Sequence, residues 1–344
     1  TFLTAFAPEA WSLFAGRMLT GIGTTGALTA ALSLTADLCL PAERGKGLLI
    51  VTLGKSLGQA AAFAVAGWLI GYFAAGGVGL GVLEGSAWRS TQLLLGLASA
   101  ALILPLLFLR EPVRQEVEAG PQAGVGDMFR ELWSRRRFLL PLFVGQTGVV
   151  MADAAAGIWA APIIERDFGL KPADFAGLLG AAIFVAGIAG AIIGGIAADW
   201  GSRSGRRGGL LLGALIAALV GVPAALFPLM PTATANILVL GILVLAGTVT
   251  GLVTSVALTV MLPNEVRGLS IGAFISIAGL IGFGIAPPLV ALVSKPLGGE
   301  AQLGLAQALV GVLVSLLSVA GFWLAMKRAP LSPTSQIGVD GPVR

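Results

Sequence analysis

The chain has 344 residues, of which 56% are hydrophobic and 11% are charged, and its formal net charge is +4. An ordinary soluble domain carries roughly 25% charged residues, so this composition excludes a soluble globular protein and indicates a polytopic membrane protein. The chain contains no histidine and a single cysteine, which excludes histidine-based metal or catalytic sites and disulfides within the chain.

Long apolar runs predict transmembrane helices, because about 20 mostly apolar residues cross the hydrocarbon core of a bilayer. The run at 208–264 is too long for one crossing, and Pro228 and Pro231 divide it into two. The sequence therefore predicts an all-α polytopic membrane protein. Its nine predicted helices lie near residues 11–39, 47–74, 89–109, 138–164, 172–198, 209–229, 235–261, 269–293 and 302–327.

Lysine and arginine are distributed unequally between alternate loops. The loops on one side, together with the tail, carry fifteen of these residues, whereas the other side carries only Arg89, Arg166, Lys171 and Lys295. Because basic residues accumulate in cytoplasmic loops, we expect the richer side and the C-terminus to be cytoplasmic. The positive net charge then reflects topology, so we expect the lipid bilayer, and not nucleic acid, as a partner.

An internal repeat relates the two ends of the chain. Leu-Pro-Ala-Glu-Arg-Gly at 40–45 resembles Leu-Pro-Asn-Glu-Val-Arg-Gly at 262–268, with Pro41 and Pro263 separated by 222 residues. The repeat pairs the first three helices with the last three and leaves the helices at 138–229 without partners in the chain. We therefore expect a design of two six-helix bundles and twelve helices, of which about nine are present because the N-terminal end is truncated.

This repeat also predicts the domain boundaries. Residues 1–109 form a partial N-terminal bundle, containing helices four to six and the end of helix three. Residues 110–137 are the longest polar stretch and are predicted to be a cytoplasmic linker. Residues 138–327 form the C-terminal six-helix bundle, and residues 328–344 form a cytoplasmic tail. Two such bundles joined by a cytoplasmic linker are typical of transporters built from parallel repeats.

Three motifs resemble the major facilitator superfamily. The segment from Gly195 to Asp199, followed by Arg203, Gly205, Arg206 and Arg207, resembles the family's cytoplasmic loop signature, although the spacing from aspartate to arginine is expanded here. Arg17 with the glycines that follow it resembles the pattern of the fourth helix. The loop motifs around Glu43, Arg44, Glu265 and Arg267 complete the resemblance, which covers the whole chain. Within the superfamily, Trp159, Pro162 and the turn at 167–170 are most similar to the spinster-like group.

The resemblance implies the major facilitator fold and a secondary active transporter that moves a small organic solute by alternating access. It implies a monomer in a membrane, such as the bacterial inner membrane, without enzymatic activity, cofactor or metal. Proton coupling is favoured because the chain contains no Gly-x-x-x-x-Gly-Lys-Ser/Thr nucleotide-binding loop. A transporter-like membrane sensor and a polytopic lipid-modifying enzyme remain as alternatives.

Asp153 is the main candidate for the coupling residue, because charges within a membrane span are costly and are often functional. Gln146 and Gly157 share its helix face by their spacing. Loss of hydration disfavours the charged form of a carboxyl group, so a buried carboxyl group can take up a proton near neutral pH. The sequence leaves three roles open for Asp153: coupling to a proton or another cation, contact with the substrate, and a structural role in which the carboxylate is neutralised by a partner or faces water in the outer vestibule.

Two further charges lie within predicted spans. Arg17 shares a helix face with Thr20 and Thr24, and because arginine does not lose its proton it requires an acidic partner, backbone carbonyls or an anionic substrate. Lys55 and Gln59, one turn apart, could bind a carboxylate or phosphate, which together with Arg17 favours an anionic or amphipathic solute. The alternative for Arg17 is a purely structural ion pair. The alternative for Lys55 is that its long side chain only reaches towards the membrane surface.

The motif from Gly195 to Arg207 is predicted to act as a cytoplasmic gate. Asp199 with Arg203, Arg206 and Arg207 can cap helix ends and hold the cytoplasmic side closed in one state, to be released in the other. The alternative is that these arginines serve only as a topology signal. On the same predicted helix, Gly190 and Gly194 form a GxxxG pattern that predicts close packing against another helix.

Overall fold

The computed structural model describes residues 2–38, 44–77, 86–106, 133–206, 208–261 and 264–329, together with residues 108 and 130. Within these residues every regular element is helical, which confirms the predicted all-α class. The α-helices, in chain order, are α1 (Ala10–Leu38), α2 (Arg44–Ala74), α3 (Ala87–Ala101), α4 (Ile103–Leu106), α5 (Arg136–Phe168), α6 (Pro172–Arg203), α7 (Leu212–Ala224), α8 (Ala233–Met261), α9 (Asn264–Leu297) and α10 (Leu303–Arg328).

The helices follow the predicted spans closely. Eight stretches of the described residues are helical, long and apolar enough to cross a membrane. The helix α1 has 29 residues and covers the predicted span near 11–39, and many of its side chains from residue 25 onward lie outside the described residues. Short 3₁₀ turns at Gly209–Leu211 and Phe227–Leu229 flank α7, so the predicted span at 209–229 is confirmed as one element with tightened ends.

The predicted span at 89–109 is not one continuous helix. It is divided at Leu102 into α3 and the short α4, and Pro105 lies within α4. Proline has no backbone N–H, so it cannot donate the helical hydrogen bond to the carbonyl four residues earlier. The interruption one turn before this proline therefore has a local chemical cause that is readable from the sequence.

The described residues divide into two compact units, and α6 contributes to both. The first unit comprises residues 1–120 and 171–181. In it, close contacts between small residues join α2 to the start of α6. A methyl group on Gly71 would lie 2.8 Å from Cβ of Ala173, and one on Gly180 would lie 2.7 Å from the carbonyl oxygen of Ala60. Helices can approach this closely only where their side chains are small.

The second unit comprises residues 121–170 and 182–344, and it is built around α5. Glycines bring α5 and α10 into backbone contact. A methyl group on Gly148 would lie 2.6 Å from the carbonyl oxygen of Val314, and one on Gly321 would lie within 2.5 Å of Cα of Gly145. These contacts pair later residues of α5 with earlier residues of α10, so the two helices run antiparallel.

The helices α9 and α8 pack on the other sides of α5. The indole Nε1 of Trp159 donates a hydrogen bond to the carbonyl oxygen of Pro287 at 3.0 Å, which fixes α5 against α9. The predicted GxxxG contact is confirmed, because Gly190 faces Leu245 and Thr248 of α8, and Gly194 faces the next turn of the same helix. The second unit therefore surrounds α5 with α8, α9 and α10.

Candidate functional site

Asp153 is half-buried near the middle of α5 and faces α8. The residue opposite it is Gly247, where a methyl group would lie 2.8 Å from the carboxyl carbon and even closer to a carboxylate oxygen. Glycine is therefore the residue that leaves the carboxyl group room at this crossing. The carboxyl lies well inside the 33-residue helix and away from both of its ends.

A small cavity lies beside this carboxyl group, inside the second unit. Its volume is about 10 Å³, roughly the space that a single water molecule requires. Four helices contribute to its wall, and the polar side chains among the lining residues are Asp153, Thr250, Ser315 and Ser318. The remaining lining side chains are apolar or absent, so Asp153 is the ionisable group of a largely apolar chamber. The full set of lining residues is Val149, Ala152, Asp153, Ala217, Ala218, Gly221, Leu243, Ala246, Gly247, Thr250, Ser315 and Ser318.

The hydroxyl groups around the cavity are engaged to different degrees. Thr250 donates to the carbonyl oxygen of Gly247 at 2.8 Å, which is a bond to its own helix. Ser318 is 1% exposed, and its hydroxyl has no hydrogen-bond partner among the described residues. A buried hydroxyl without a partner is costly, so a polar molecule in the cavity would satisfy it.

Gln146 lies two turns before Asp153 on the same face of α5, as its spacing predicts. Its side-chain carbonyl oxygen accepts a hydrogen bond of 3.0 Å from the hydroxyl of Thr254 on α8. Both side chains are buried, with 3% and 0% of their surfaces exposed. Gln146 and Asp153 thus form a polar seam between α5 and α8.

We expect Gly247→Ala to weaken any transport step that uses Asp153 while leaving the protein folded. The new methyl group collides with the carboxyl group, which is the movable end of a side chain and can rotate aside. Such a displacement costs roughly 1.4 kcal/mol, or about tenfold in rate. The measurement is initial uptake by proteoliposomes, after the variant has been shown by size-exclusion chromatography to be monodisperse.

Gly251→Ala is the matched control for this variant, one turn further along α8. A methyl group there would meet the amide nitrogen of Gln146 at 3.7 Å, an ordinary van der Waals distance. We therefore expect Gly251→Ala to transport normally. Equal loss in both variants would mean that general repacking of α8, and not the crowding of Asp153, caused the effect.

Five of the predicted residues, Arg17, Thr20, Thr24, Lys55 and Gln59, belong to the first unit. Arg17 is exposed on α1, and the hydroxyl groups of Thr20 and Thr24 donate to backbone carbonyls of Gly16 and Thr20, at 2.8 and 2.7 Å. Gln59 is exposed on α2, while the side chain of Lys55 lies outside the described residues. Back-bonded threonines still present an oxygen lone pair, but their first bond is to their own helix.

The predicted gate motif lies at the end of α6 and in the turn after it. Asp199, Arg203 and Arg206 are exposed, and Gly195 is half-buried. The turn depends on Gly205, whose φ of +61° favours glycine. Arg207 and Glu43 lie outside the described residues, as do the side chains of Arg44, Glu265 and Arg267.

Comparison with known proteins identifies the family of this fold. The family model described as Major Facilitator Superfamily matches residues 1–287. The chain belongs to the major facilitator superfamily. It is therefore an integral membrane protein of a transporter family whose two halves alternate access to a central site, which confirms the family predicted from the sequence motifs. No curated protein sequence matches the chain.

Two similar solved structures come from a bacterial homologue of the human lysosomal transporter Spinster. The inward-facing, unoccupied form superimposes with a TM-score of 0.75 at 20% identity, covering 95% of this chain and 80% of the homologue. The inward-facing, occupied form gives a TM-score of 0.71 at 20% identity, covering 96% and 80%. At this identity the likeness establishes the fold, and it agrees with the group that the sequence motifs resemble.

Proposed function

We propose that this major facilitator protein is a spinster-like, proton-coupled secondary transporter of a small organic solute, in which Asp153 carries the coupling proton. The observation that supports this most strongly is the position of the Asp153 carboxyl group, half-buried beside a water-sized cavity among four membrane-spanning helices. Ionisable groups at such depth are usually functional.

Asp153 is the ionisable side chain among the residues that line this cavity. The other lining side chains are apolar or absent, apart from three hydroxyl groups. The hydroxyl groups of Thr250 on α8 and of Ser315 and Ser318 on α10 line the same cavity and can bond to a water beside the carboxyl group. Protonation of Asp153 would change the free-energy difference between the inward-open and outward-open states. Proton binding would in this way be coupled to alternating access.

The proposed substrate is anionic or amphipathic. Arg17 is exposed on α1 and Gln59 is exposed on α2, so the first unit presents a permanent cation and an amide. We place the domains at 1–109, 110–137, 138–327 and 328–344, with the C-terminus on the cytoplasmic side of a bacterial inner membrane. The motif from Gly195 to Arg206 would then act at the cytoplasmic gate of a monomer.

The test uses the purified full-length protein in sealed proteoliposomes that contain a pH-sensitive dye. A panel of organic anions, lysolipids and neutral sugars is added, each at the same concentration. We expect at least one anionic or amphipathic solute to drive proton movement that is absent from protein-free liposomes. Saturable solute flux without proton movement would contradict the coupling, while binding without any flux would indicate the sensor alternative.

A further inference from the structure

Basic side chains gather at one end of the second unit. Because α5 and α10 run antiparallel, the start of α5 and the end of α10 lie at the same end. Phe138, Phe322 and Leu211 belong to one buried cluster there. The turn after α6 joins them, since a methyl group on Gly208 would lie 2.8 Å from the side chain of Met326.

Among the described side chains of α5, α6 and α10 and of the residues directly beside them, this end carries seven basic residues and one acidic residue, Asp199. We call the basic set the basic surface. Arg135 is half-exposed and the other six side chains are exposed. The basic surface comprises Arg135, Arg136, Arg137, Arg203, Arg206, Lys327 and Arg328.

The opposite end of the same unit has a different charge pattern. There Arg166 forms an ion pair with Glu300 at 3.2 Å, and acidic residues outnumber basic ones among the described residues. The charges at that end are Glu165, Arg166, Asp167, Lys295 and Glu300. The excess of positive charge is therefore confined to the basic surface.

Two exposed tryptophans lie beside the basic surface, and each has a basic side chain positioned over the face of its ring. The Nζ of Lys327 lies 3.7 Å from the ring centroid of Trp323, and the guanidinium carbon of Arg136 lies 5.3 Å from that of Trp133. The tryptophans are 44% and 59% exposed. Exposed tryptophan at the end of a membrane helix marks the level of the lipid headgroups, and the cation–π contact keeps the cation at that level.

We propose that the basic surface binds anionic phospholipid, with the lipid phosphate between Arg136 and Lys327 and the glycerol and acyl chains along Trp133 and Trp323. The cations supply charge complementarity to the phosphodiester, and the indole rings supply an apolar contact that an inorganic ion cannot use. Clusters of basic residues at the cytoplasmic ends of membrane helices attract anionic headgroups in this way. The surface lies in the second unit and is independent of Asp153, so the coupling proposal can fail without affecting it.

The test compares retention of phosphatidylglycerol and phosphatidylcholine with identical acyl chains on the purified full-length protein, by native mass spectrometry. We expect the wild type to retain phosphatidylglycerol preferentially. The double variant Arg136→Gln/Lys327→Gln should weaken that retention by about tenfold, which two basic side chains near an anionic headgroup can supply. Trp323→Leu, which keeps every charge, should weaken it by a smaller factor.

The matched control is Arg166→Gln/Lys295→Gln, which removes two positive charges from the opposite end. We expect it to retain phosphatidylglycerol like the wild type. Equal loss in both double variants would overturn the site, because net charge alone would then explain the binding. Displacement of the lipid by millimolar inorganic phosphate would also overturn it, since the surface would then recognise a free anion. If the double variant is not monodisperse, the two single variants are measured instead, and unchanged retention in both would contradict the proposal.

Discussion

Replacing Asp153 by asparagine is expected to abolish solute accumulation driven by a pH gradient in proteoliposomes. Asparagine has nearly the same shape as a protonated aspartic acid and fits the space opposite Gly247, but it cannot bind and release a proton. Solute exchange at equal pH on both sides should continue, because it requires the helices to move with the site in one unchanging charge state. The measurement is labelled-solute uptake with and without the gradient, followed by exchange of preloaded solute.

The control for Asp153→Asn is Asp174→Asn on α6. Asp174 is exposed, and its carboxylate accepts a hydrogen bond from the backbone N–H of Lys171 at 3.0 Å, which asparagine can also accept. We expect this variant to accumulate solute normally. Gradient-driven accumulation by Asp153→Asn at the wild-type level would refute the coupling role, and loss of exchange together with accumulation would indicate a structural role instead.

Replacing Gly148 by leucine is expected to prevent the second unit from packing. A methyl group at this position already lies 2.6 Å from the carbonyl oxygen of Val314 and 3.2 Å from Cβ of Ser318, so a leucine side chain has no space. The obstacle is backbone, which cannot rotate aside, and α5 must separate from α10. Overpacking of this kind costs about 3 kcal/mol or more. We expect fluorescence-detected chromatography to show aggregated protein and a lower unfolding temperature.

Gly157→Leu is the control on the same helix. Among the described residues, no atom outside the adjacent turns of α5 lies within 4 Å of a methyl group placed on Gly157, and the residue is exposed. The two substitutions add the same side chain to the same helix and differ only in their neighbours. A monodisperse Gly148→Leu variant with the unfolding temperature of Gly157→Leu would show that the contact between α5 and α10 is not essential.

The helices could be predicted from the sequence because a membrane span is a local property. About 20 apolar residues must satisfy their own backbone hydrogen bonds inside lipid, so each span is recognisable without its neighbours. The predicted boundaries of α5 and α8, near 138–164 and 235–261, agree with Arg136–Phe168 and Ala233–Met261 to within a few residues. The break in α3 near Pro105 was also a local effect, although it was not predicted.

The candidate site could be predicted only in part. Asp153 and Gln146 stand out because one is charged and the other is polar within an apolar helix, and their seven-residue spacing places them on one face. Gly247 and Ser318 give no comparable signal, since glycine and serine are frequent in all of these helices. Their importance depends on which atoms lie opposite them on another helix.

The sequence by itself determined the class of protein, the spans and the superfamily, because hydropathy, charge distribution and short motifs are each encoded within single helices or loops. Only the tertiary structure decided that Gly247 makes room for the Asp153 carboxyl group, that Thr254 binds Gln146, and that Ser318 completes a cavity made by four helices. It also brought the start of α5 to the end of α10 and so joined distant arginines and lysines into one basic surface. The physical reason is that helix packing depends on how closely two backbones can approach, and this distance is set jointly by residues far apart in the chain.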